Sequence, residues 1–414
     1  MRWLYSLAIR VSTLLIKSAA PFYKKAKLWS IGRKKILLFL EEKCQDKKNI
    51  IWFHCASLGE FEQGKPLMQK IKQDKNITLL VTFFSPSGFE VKKNDPIADI
   101  VAYLPVDTPK NAKKFVSIVK PQKAFFVKYE FWYNYLIELS KANIPVYYVS
   151  AIFRENQYFF KSYGKWFLKQ LKTCKYFFVQ NENSKNILLK HGIQNVKVTG
   201  DTRFDRVSTI AQQPYTLDFI TSFKQDKKLL VAGSTWPPDE KLLYELFAKI
   251  NSKYKLVIAP HEVNPNHIEK IKNIFKTFSV VCYSEKEKKD VLIYDVLILD
   301  TIGLLSKIYK YADISYIGGA FKTGLHNILE AAVFEKPIFF GTHYQKFNEA
   351  IALVNHGAAF PVSCASEMNK KIMDFENDSN YYTHTCEVCK NYTTQNLGAT
   401  EKILNCIFQA GLNH

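Results

Sequence analysis

Apolar residues along this chain fall into short continuous runs, separated by stretches in which they recur every third or fourth position. The run Asn49-Ile50-Ile51-Trp52-Phe53 reads as a buried strand. Phe61 to Lys72, with Leu67, Met68 and Ile71 on one helical face, reads as the helix that follows. Strand-like runs recur at Ile77 to Phe84, Ile100 to Leu104, Ala124 to Val127, Val146 to Val149 and Tyr176 to Val179, each followed by a helix-like stretch. This alternation predicts βα units and a parallel sheet. The rhythm lapses between Arg206 and Lys228, where Ser208, Gln212, Gln213 and Pro214 interrupt it. It restarts with Leu229 to Gly233, Leu256 to Pro260, Val280 to Tyr283, Val296 to Leu299, Ile314 to Ile317 and Ile338 to Phe340. An α/β fold is therefore expected, with two Rossmann-like doubly wound domains facing across a cleft and ligands at the carboxyl ends of the strands. The predicted division is an N-terminal segment 1–36, a first domain 37–207, a linker 208–228, a second domain 229–395 and a C-terminal helix 396–414.

The N-terminal segment follows a different rule. Trp3, Leu4, Leu7, Ala8, Ile9, Val11, Leu14, Leu15 and Ile16 are interrupted by Arg10 and Lys17, and Lys24, Lys25, Lys27, Arg33, Lys34 and Lys35 follow. The run is shorter than the roughly 20 apolar residues that span a bilayer, and no small-residue cleavage site ends it. It reads as a basic-flanked amphipathic helix lying at an anionic membrane surface, with packing against the first domain as the plainer alternative.

A length of 414 residues with 47% hydrophobic content suits a two-domain globular chain. The excess of 58 Lys and Arg over 38 Asp and Glu, a formal charge of +20, points to an anionic partner. Nucleic acid, a phospholipid surface and a phosphorylated substrate all satisfy that requirement. No nucleic-acid motif appears, and the aromatic residues lie inside apolar runs, so no nucleic-acid partner is expected. Eight scattered cysteines form no disulfide framework. Cys386 and Cys389, with His384 nearby, are the one close pair and too few to indicate zinc. The charged run Ser284 to Asp290 reads as a solvated loop.

Candidate chemistry gathers where strands should end. Ser57-Leu58-Gly59-Glu60 places a carboxylate in the first turn after the opening strand. There Glu60 can complement the helix dipole or act as a general base. In the second half, Gly233-Ser234-Thr235, Pro260-His261-Glu262 and Gly318-Gly319-Ala320-Phe321 each close a predicted strand, which marks one sheet edge as a ligand crevice. Gly324-Leu325-His326-Asn327-Ile328-Leu329-Glu330 reads as a glycine turn opening an apolar helix whose N–H groups suit a phosphate. Asn327 and Glu330 share a face there, either as a capping pair or as contacts to a ribose or base. The first strand is followed by no G-x-G-x-x-G, and the chain contains no G-x-x-x-x-G-K-[ST], D-x-D or H-E-x-x-H. Dinucleotide redox chemistry, P-loop hydrolysis and metal-dependent catalysis lose support accordingly.

Ser57-Leu58-Gly59-Glu60, Tyr129-Glu130-Phe131-Trp132-Tyr133-Asn134, Gly233-Ser234-Thr235 and His326-Asn327-Ile328-Leu329-Glu330, in this order, resemble the motifs of the 3-deoxy-D-manno-octulosonic acid (Kdo) transferases, glycosyltransferase family 30. The resemblance implies a GT-B fold and inverting transfer of Kdo from CMP-Kdo to a lipid A precursor. It also implies no metal and no cofactor, and work at the cytoplasmic face of the inner membrane. It implies Glu60 as general base, and Glu130 and Arg203 as transition-state stabilisers. CMP would be held by Pro260, His261, Ile302, Gly303, Leu304, Asn327, Ile328, Leu329 and Glu330. Ser57, Gly59, Gly233, Ser234, Thr235, Gly318, Gly319, Gly324 and His326 would support them. Lys128, Tyr133, Arg203, Trp236 and His261 depart from the usual residues of these motifs, namely an acid, proline, lysine, histidine and arginine. A GT-B enzyme using another nucleotide sugar and a basic RNA-binding protein are the competing readings.

Overall fold

The computed structural model describes residues 1–287, 290–322 and 324–409. Lys288 and Lys289 of the charged run, and residues 410–414 of the expected C-terminal helix, lie outside the described residues. The chain divides into two compact units, Met1–Arg206 with the chain from Gly398 onward, and Val207–Leu397.

The first unit is built on seven parallel strands: β1 (Ile50–Cys55), β2 (Thr78–Phe83), β3 (Ile100–Tyr103), β4 (Lys123–Val127), β5 (Val146–Ala151), β6 (Tyr176–Val179) and β7 (Val196–Val198). Their order is β3-β2-β1-β4-β5-β6-β7. Alternate residues of each strand feed two cores. Trp52, Leu80, Phe126, Tyr148 and Phe177 fill one face, and Phe53, Val81, Phe125, Tyr147 and Phe178 fill the other. Helices cover both faces, which explains why the strands read as continuous apolar runs and not as alternating ones.

The second unit repeats the plan with β8 (Lys228–Thr235), β9 (Tyr254–Pro260), β10 (Val280–Cys282), β11 (Val296–Ile298), β12 (Ile314–Ile317), β13 (Ile338–Phe340) and β14 (Ala359–Pro361), ordered β10-β11-β9-β8-β12-β13-β14. All its pairings are parallel. Both sheets reverse direction once, between β1 and β4 in the first and between β8 and β12 in the second. At such a reversal the following loops part and leave a crevice beyond the strand ends. The strands β7 (Val-Lys-Val) and β14 (Ala-Phe-Pro) were not foreseen, since a lysine interrupts the first and a proline closes the second.

Two expectations about the domain plan require correction. Residues 208–228 are not a linker: the helix Thr202–Gln212 runs through the expected boundary, and Asp218–Lys224 forms another helix. Ile220 and Phe223 are fully buried in that segment, so a polar sequence with a few well-spaced apolar residues masqueraded as a break. The C-terminal helix, Ala399–Gln409, belongs to the first unit. Its Ile403, Leu404 and Ile407 join the core containing Phe61, Leu67 and Met68, and Asp205 accepts the N–H groups of Gly398 (2.7 Å) and Thr400 (2.6 Å) at its start. The third helix spans Ile36–Cys44 and buries Leu40 and Cys44 in the first unit's core.

The first helix, Arg2–Ala19, docks through one polar edge. Arg2 donates to Asn134 (2.9 Å) and Glu138 (3.1 Å), and Tyr5 donates to Asp107 (2.7 Å). Its apolar residues Trp3, Leu4, Leu7, Val11, Leu14 and Leu15 are exposed, Trp3 to 70%. Among the described residues no helix is long and apolar enough to cross a membrane.

Candidate functional site

In the first unit, the helix Leu58–Ile71 starts directly after β1, and Glu60 sits in its first turn. Glu60 Oε2 accepts the Ser57 backbone N–H at 2.9 Å and the Ser57 hydroxyl at 3.2 Å, so the capping role is present. Both bonds use Oε2, and the capping arrangement does not engage Oε1. Burial, then the charge of Glu130, push the Glu60 carboxyl up to about 7, against the Ser57 bonds and the nearby Lys128 cation. A cap on an open surface would show the opposite shift. A Cβ built on Gly59 meets nothing within 4 Å.

Glu130 follows β4 across the reversal point. The chain reaches it through Lys128, whose φ of +67° lies in the left-handed region. That conformation costs a non-glycine residue about 1 kcal/mol or more and is found where surrounding structure over-determines it. Glu130 Oε2 accepts from His54 Nε2 (3.0 Å) and Trp132 Nε1 (2.7 Å), and the Tyr148 hydroxyl donates to its backbone carbonyl (3.0 Å).

Arg203 lies in the first turn of Thr202–Gln212 and pairs with Asp201, Nε to Oδ2 at 2.8 Å and the terminal nitrogen to the same oxygen at 2.7 Å. Asp201 Oδ1 accepts from Gln63, one turn beyond Glu60, at 2.7 Å. Arg203 is therefore held in an ion pair, with Gln63 and Asp201 linking it to the Glu60 helix. Neither Gln63 nor Asp201 was singled out from sequence, since a buried Gln–Asp contact between distant segments leaves no local pattern.

In the second unit the strand ends β8, β9 and β12 carry a second cluster. A Cβ on Gly233 would meet the Tyr309 hydroxyl at 2.0 Å, and one on Gly318 would meet the Ser234 carbonyl at 2.3 Å, so both glycines permit close backbone approach. Gly319, with φ of +95°, donates its N–H to Asp239 at 3.0 Å, and Asp239 also accepts from the Trp236 N–H and the Tyr316 hydroxyl. Thr235 donates to Glu240 (3.1 Å), which meets His267 at 2.9 Å. Trp236, His261 and His326 stack in series, with ring centroids 4.8 Å and 4.3 Å apart. Trp236 Nε1 donates to His326 Nε2 at 3.1 Å, and burial followed by His261 lowers the His326 imidazole to about 4.

The helix expected to open after Gly324 is only a single turn, Leu329–Ala332, because His326 and Gly324 turn back to hydrogen-bond the Gly318 and Gly319 carbonyls. Asn327 and Glu330 do meet: Asn327 Nδ2 donates to Glu330 at 2.9 Å, while Asn327 Oδ1 is buried with no protein partner. Ile328 and Leu329 are buried. Ile302, Gly303 and Leu304 form the loop after β11, with Ile302 81% exposed and Gly303 at φ +98° with nothing within 4 Å of a Cβ. The Tyr309 hydroxyl lies against Gly233, and burial, then the Glu330 charge, push its ionisation well above the ordinary range. Cys386 and Cys389 lie on the helix Ser379–Gln395, where Cys389 Sγ is 3.5 Å from the Lys336 carbonyl. Among the described residues, no group of three or more His, Cys, Asp or Glu side chains is placed to hold a metal ion.

Residues 32–206 match the family model for 3-deoxy-D-manno-octulosonic-acid transferase (kdotransferase). The 3-deoxy-D-manno-octulosonic acid transferase of Aquifex aeolicus is 27% identical over 342 residues, covering 81% of this chain and 88% of that protein. The enzyme of the same name from Rickettsia bellii is 28% identical over 369 residues, covering 86% and 85%. A bifunctional glycosyltransferase/methyltransferase of Fusobacterium nucleatum is 27% identical over 392 residues, 91% of this chain, which spans 59% of that longer protein. The solved UDP-GlcNAc 2-epimerase of Neisseria meningitidis, bound to UDP-GlcNAc, shares the fold at 16% identity, with a TM-score of 0.62 over 87% of this chain and 100% of that one. Two parallel-sheet units with polar clusters at both reversal points, together with these matches, define a glycosyltransferase. Over these stretches the chain is similar to the Kdo transferases.

Proposed function

We propose that this chain is an inverting GT-B glycosyltransferase that moves Kdo from CMP-Kdo to a lipid A precursor of the lipid IVA type. In this reading Glu60 removes the proton from the acceptor hydroxyl as its oxygen attacks the anomeric carbon, and CMP departs from the opposite face. Glu130 and Arg203 balance charge at the reacting sugar. Pro260, His261, Ile302 to Leu304, Asn327 and Glu330 hold the nucleotide. The reaction runs without a metal or other cofactor; the sequence lacks a D-x-D, and backbone N–H groups and cationic side chains would meet the leaving group's charge.

One observation carries this reading: two carboxylates at the first reversal point have been given unlike environments. Glu60 is desolvated and held up at about 7, where a general base works best near neutral pH, while Glu130 is held by two N–H donors. The unpaired Asn327 Oδ1 supports the nucleotide assignment, since it lacks the donor that a bound ribose or base supplies. For localisation, we propose the cytoplasmic face of the inner membrane. The exposed Trp3, Leu4, Leu7, Val11, Leu14 and Leu15 beside Arg10, Lys17, Lys24, Lys25 and Lys27 support adsorption to an anionic surface. Mass analysis of the product formed from purified protein, CMP-Kdo and a lipid A precursor tests donor, acceptor and copy number together. An acceptor mass increased by one or more Kdo units is expected, and an unchanged acceptor with folded protein would overturn the reading.

A further inference from the structure

We propose that His54 is a positioning residue for Glu130, holding its carboxylate in the orientation that transfer requires. The inference rests on the role given to Glu130 above.

His54 and Trp52 are two residues apart on β1, so both project from the same face of the sheet. His54 is directly opposite Thr82 of β2 in the ladder. Trp52 Nε1 donates to Thr82 Oγ1 at 2.8 Å, and the same hydroxyl oxygen is 2.9 Å from His54 Nδ1. On the far side of the ring, His54 Nε2 is 3.0 Å from Glu130 Oε2. A series of polar contacts therefore runs from the interior of β1 through β2 to a carboxylate beyond the end of β4.

Proton placement follows from the partners. An ionised carboxylate offers only lone pairs, so Nε2 must carry the proton in this contact. Nδ1 faces both the Thr82 hydroxyl (2.9 Å) and the Thr82 carbonyl (3.1 Å), and it is satisfied whether it accepts from the first or donates to the second. Nε2 is the donor in either case. His54 is fully buried and packed edge-on against Phe126 and Trp132, so its ring has no room to turn away. Trp132 supplies a second donor to the same Oε2 at 2.7 Å. Two converging N–H groups on one oxygen fix the plane of the carboxylate and leave Oε1 outside the pair, available to the reacting sugar.

A buried His–Glu contact can also be a structural feature alone, so the test separates the two roles. His54→Leu should lower kcat about 10- to 100-fold, in line with the effect of displacing a catalytic group by roughly 1 Å, while KM for CMP-Kdo and the melting temperature change little. His54→Gln, which can place an amide N–H near the Nε2 position, should recover part of the loss. In a Glu130→Ala background, which is itself slowed and lacks the accepting oxygen, adding His54→Leu should cause no further loss, because the contact is already gone. A folded His54→Leu protein with unchanged kcat, or losses that multiply in the double variant, would overturn the proposal. If His54→Leu does not fold, 15N NMR of the ring decides: a protonated Nε2 whose signal moves in Glu130→Gln is expected, and an unprotonated Nε2 overturns it. Full activity of Glu130→Gln alone would instead reject the role of Glu130.

Discussion

Glu60 and Glu130 follow β1 and β4, the two strands that flank the first sheet's reversal, and the negative charge of Glu130 helps hold the Glu60 carboxyl up at about 7. Neither carboxylate has this property from its own segment. Glu60 alone is a helix cap, and Glu130 alone is a loop acid. Parallel pairing of β1 with β4 brings them together, with Trp52 opposite Ala124 and His54 opposite Phe126.

The pH dependence follows with a definite sign. Only ionised Glu60 is a base, so kcat/KM should rise as pH increases toward about 7 and level off above it. Glu130→Gln removes one cause of the shift and should move this limb to lower pH, although burial, the larger cause, remains. Because the folded carboxyl is raised above its ordinary 4.5, the stability it contributes is complete below that pH and is lost as pH rises through about 7. Glu60→Gln should therefore lower kcat by about 100-fold or more, yet melt at least as high as the parent at pH 8. Rate profiles and thermal melts across pH 4 to 9, roughly the range spanned by carboxyl and amine titration, check both statements.

In the second unit, Trp236→Phe keeps the ring stack but removes the N–H that meets His326 Nε2. Leaving a buried ring nitrogen unpaired should cost about 1–3 kcal/mol in denaturant unfolding at pH 7. The lowered His326 value has its own signature. A depressed histidine contributes stability that is present above its ordinary 6.5 and is lost as pH falls toward about 4, so melts of the parent should decline over that interval.

Asn327→Ala removes a buried oxygen that has no protein partner. Because the same change removes the Nδ2–Glu330 hydrogen bond, stability without ligand should fall by no more than about 1 kcal/mol. Calorimetric affinity for CMP should fall about 10-fold, the equivalent of a hydrogen bond of roughly 1.4 kcal/mol. Unchanged CMP affinity would remove Asn327 from the nucleotide site.

Membrane adsorption separates from chemistry. Leu14→Glu and Leu15→Glu together place two charges on the exposed face of the first helix, away from the Arg2, Tyr5 and Ser6 contacts that dock it. Co-sedimentation with anionic vesicles should drop by about 10-fold or more, given that each buried leucine is worth up to roughly 3 kcal/mol, while turnover of a detergent-dispersed acceptor is retained.

The amino-acid sequence by itself determined twelve of the strands and the parallel α/β class, because strands covered on both faces must be apolar throughout and the helices between them must be amphipathic. It also placed Glu60, Glu130 and the Gly233, Gly318 and Gly319 clusters at strand ends. The strands β7 and β14, the unit membership of 208–228 and of the C-terminal helix, and the one-turn helix at Leu329 depended on packing partners far away in the chain. Only the tertiary structure decided that His54, buried in an apolar strand, meets Glu130 seventy-six residues later, and that Gln63 meets Asp201. A local pattern records which face a residue presents. Strand order and register decide what that face meets, and with it the elevated carboxyl of Glu60 and the orientation of its partner.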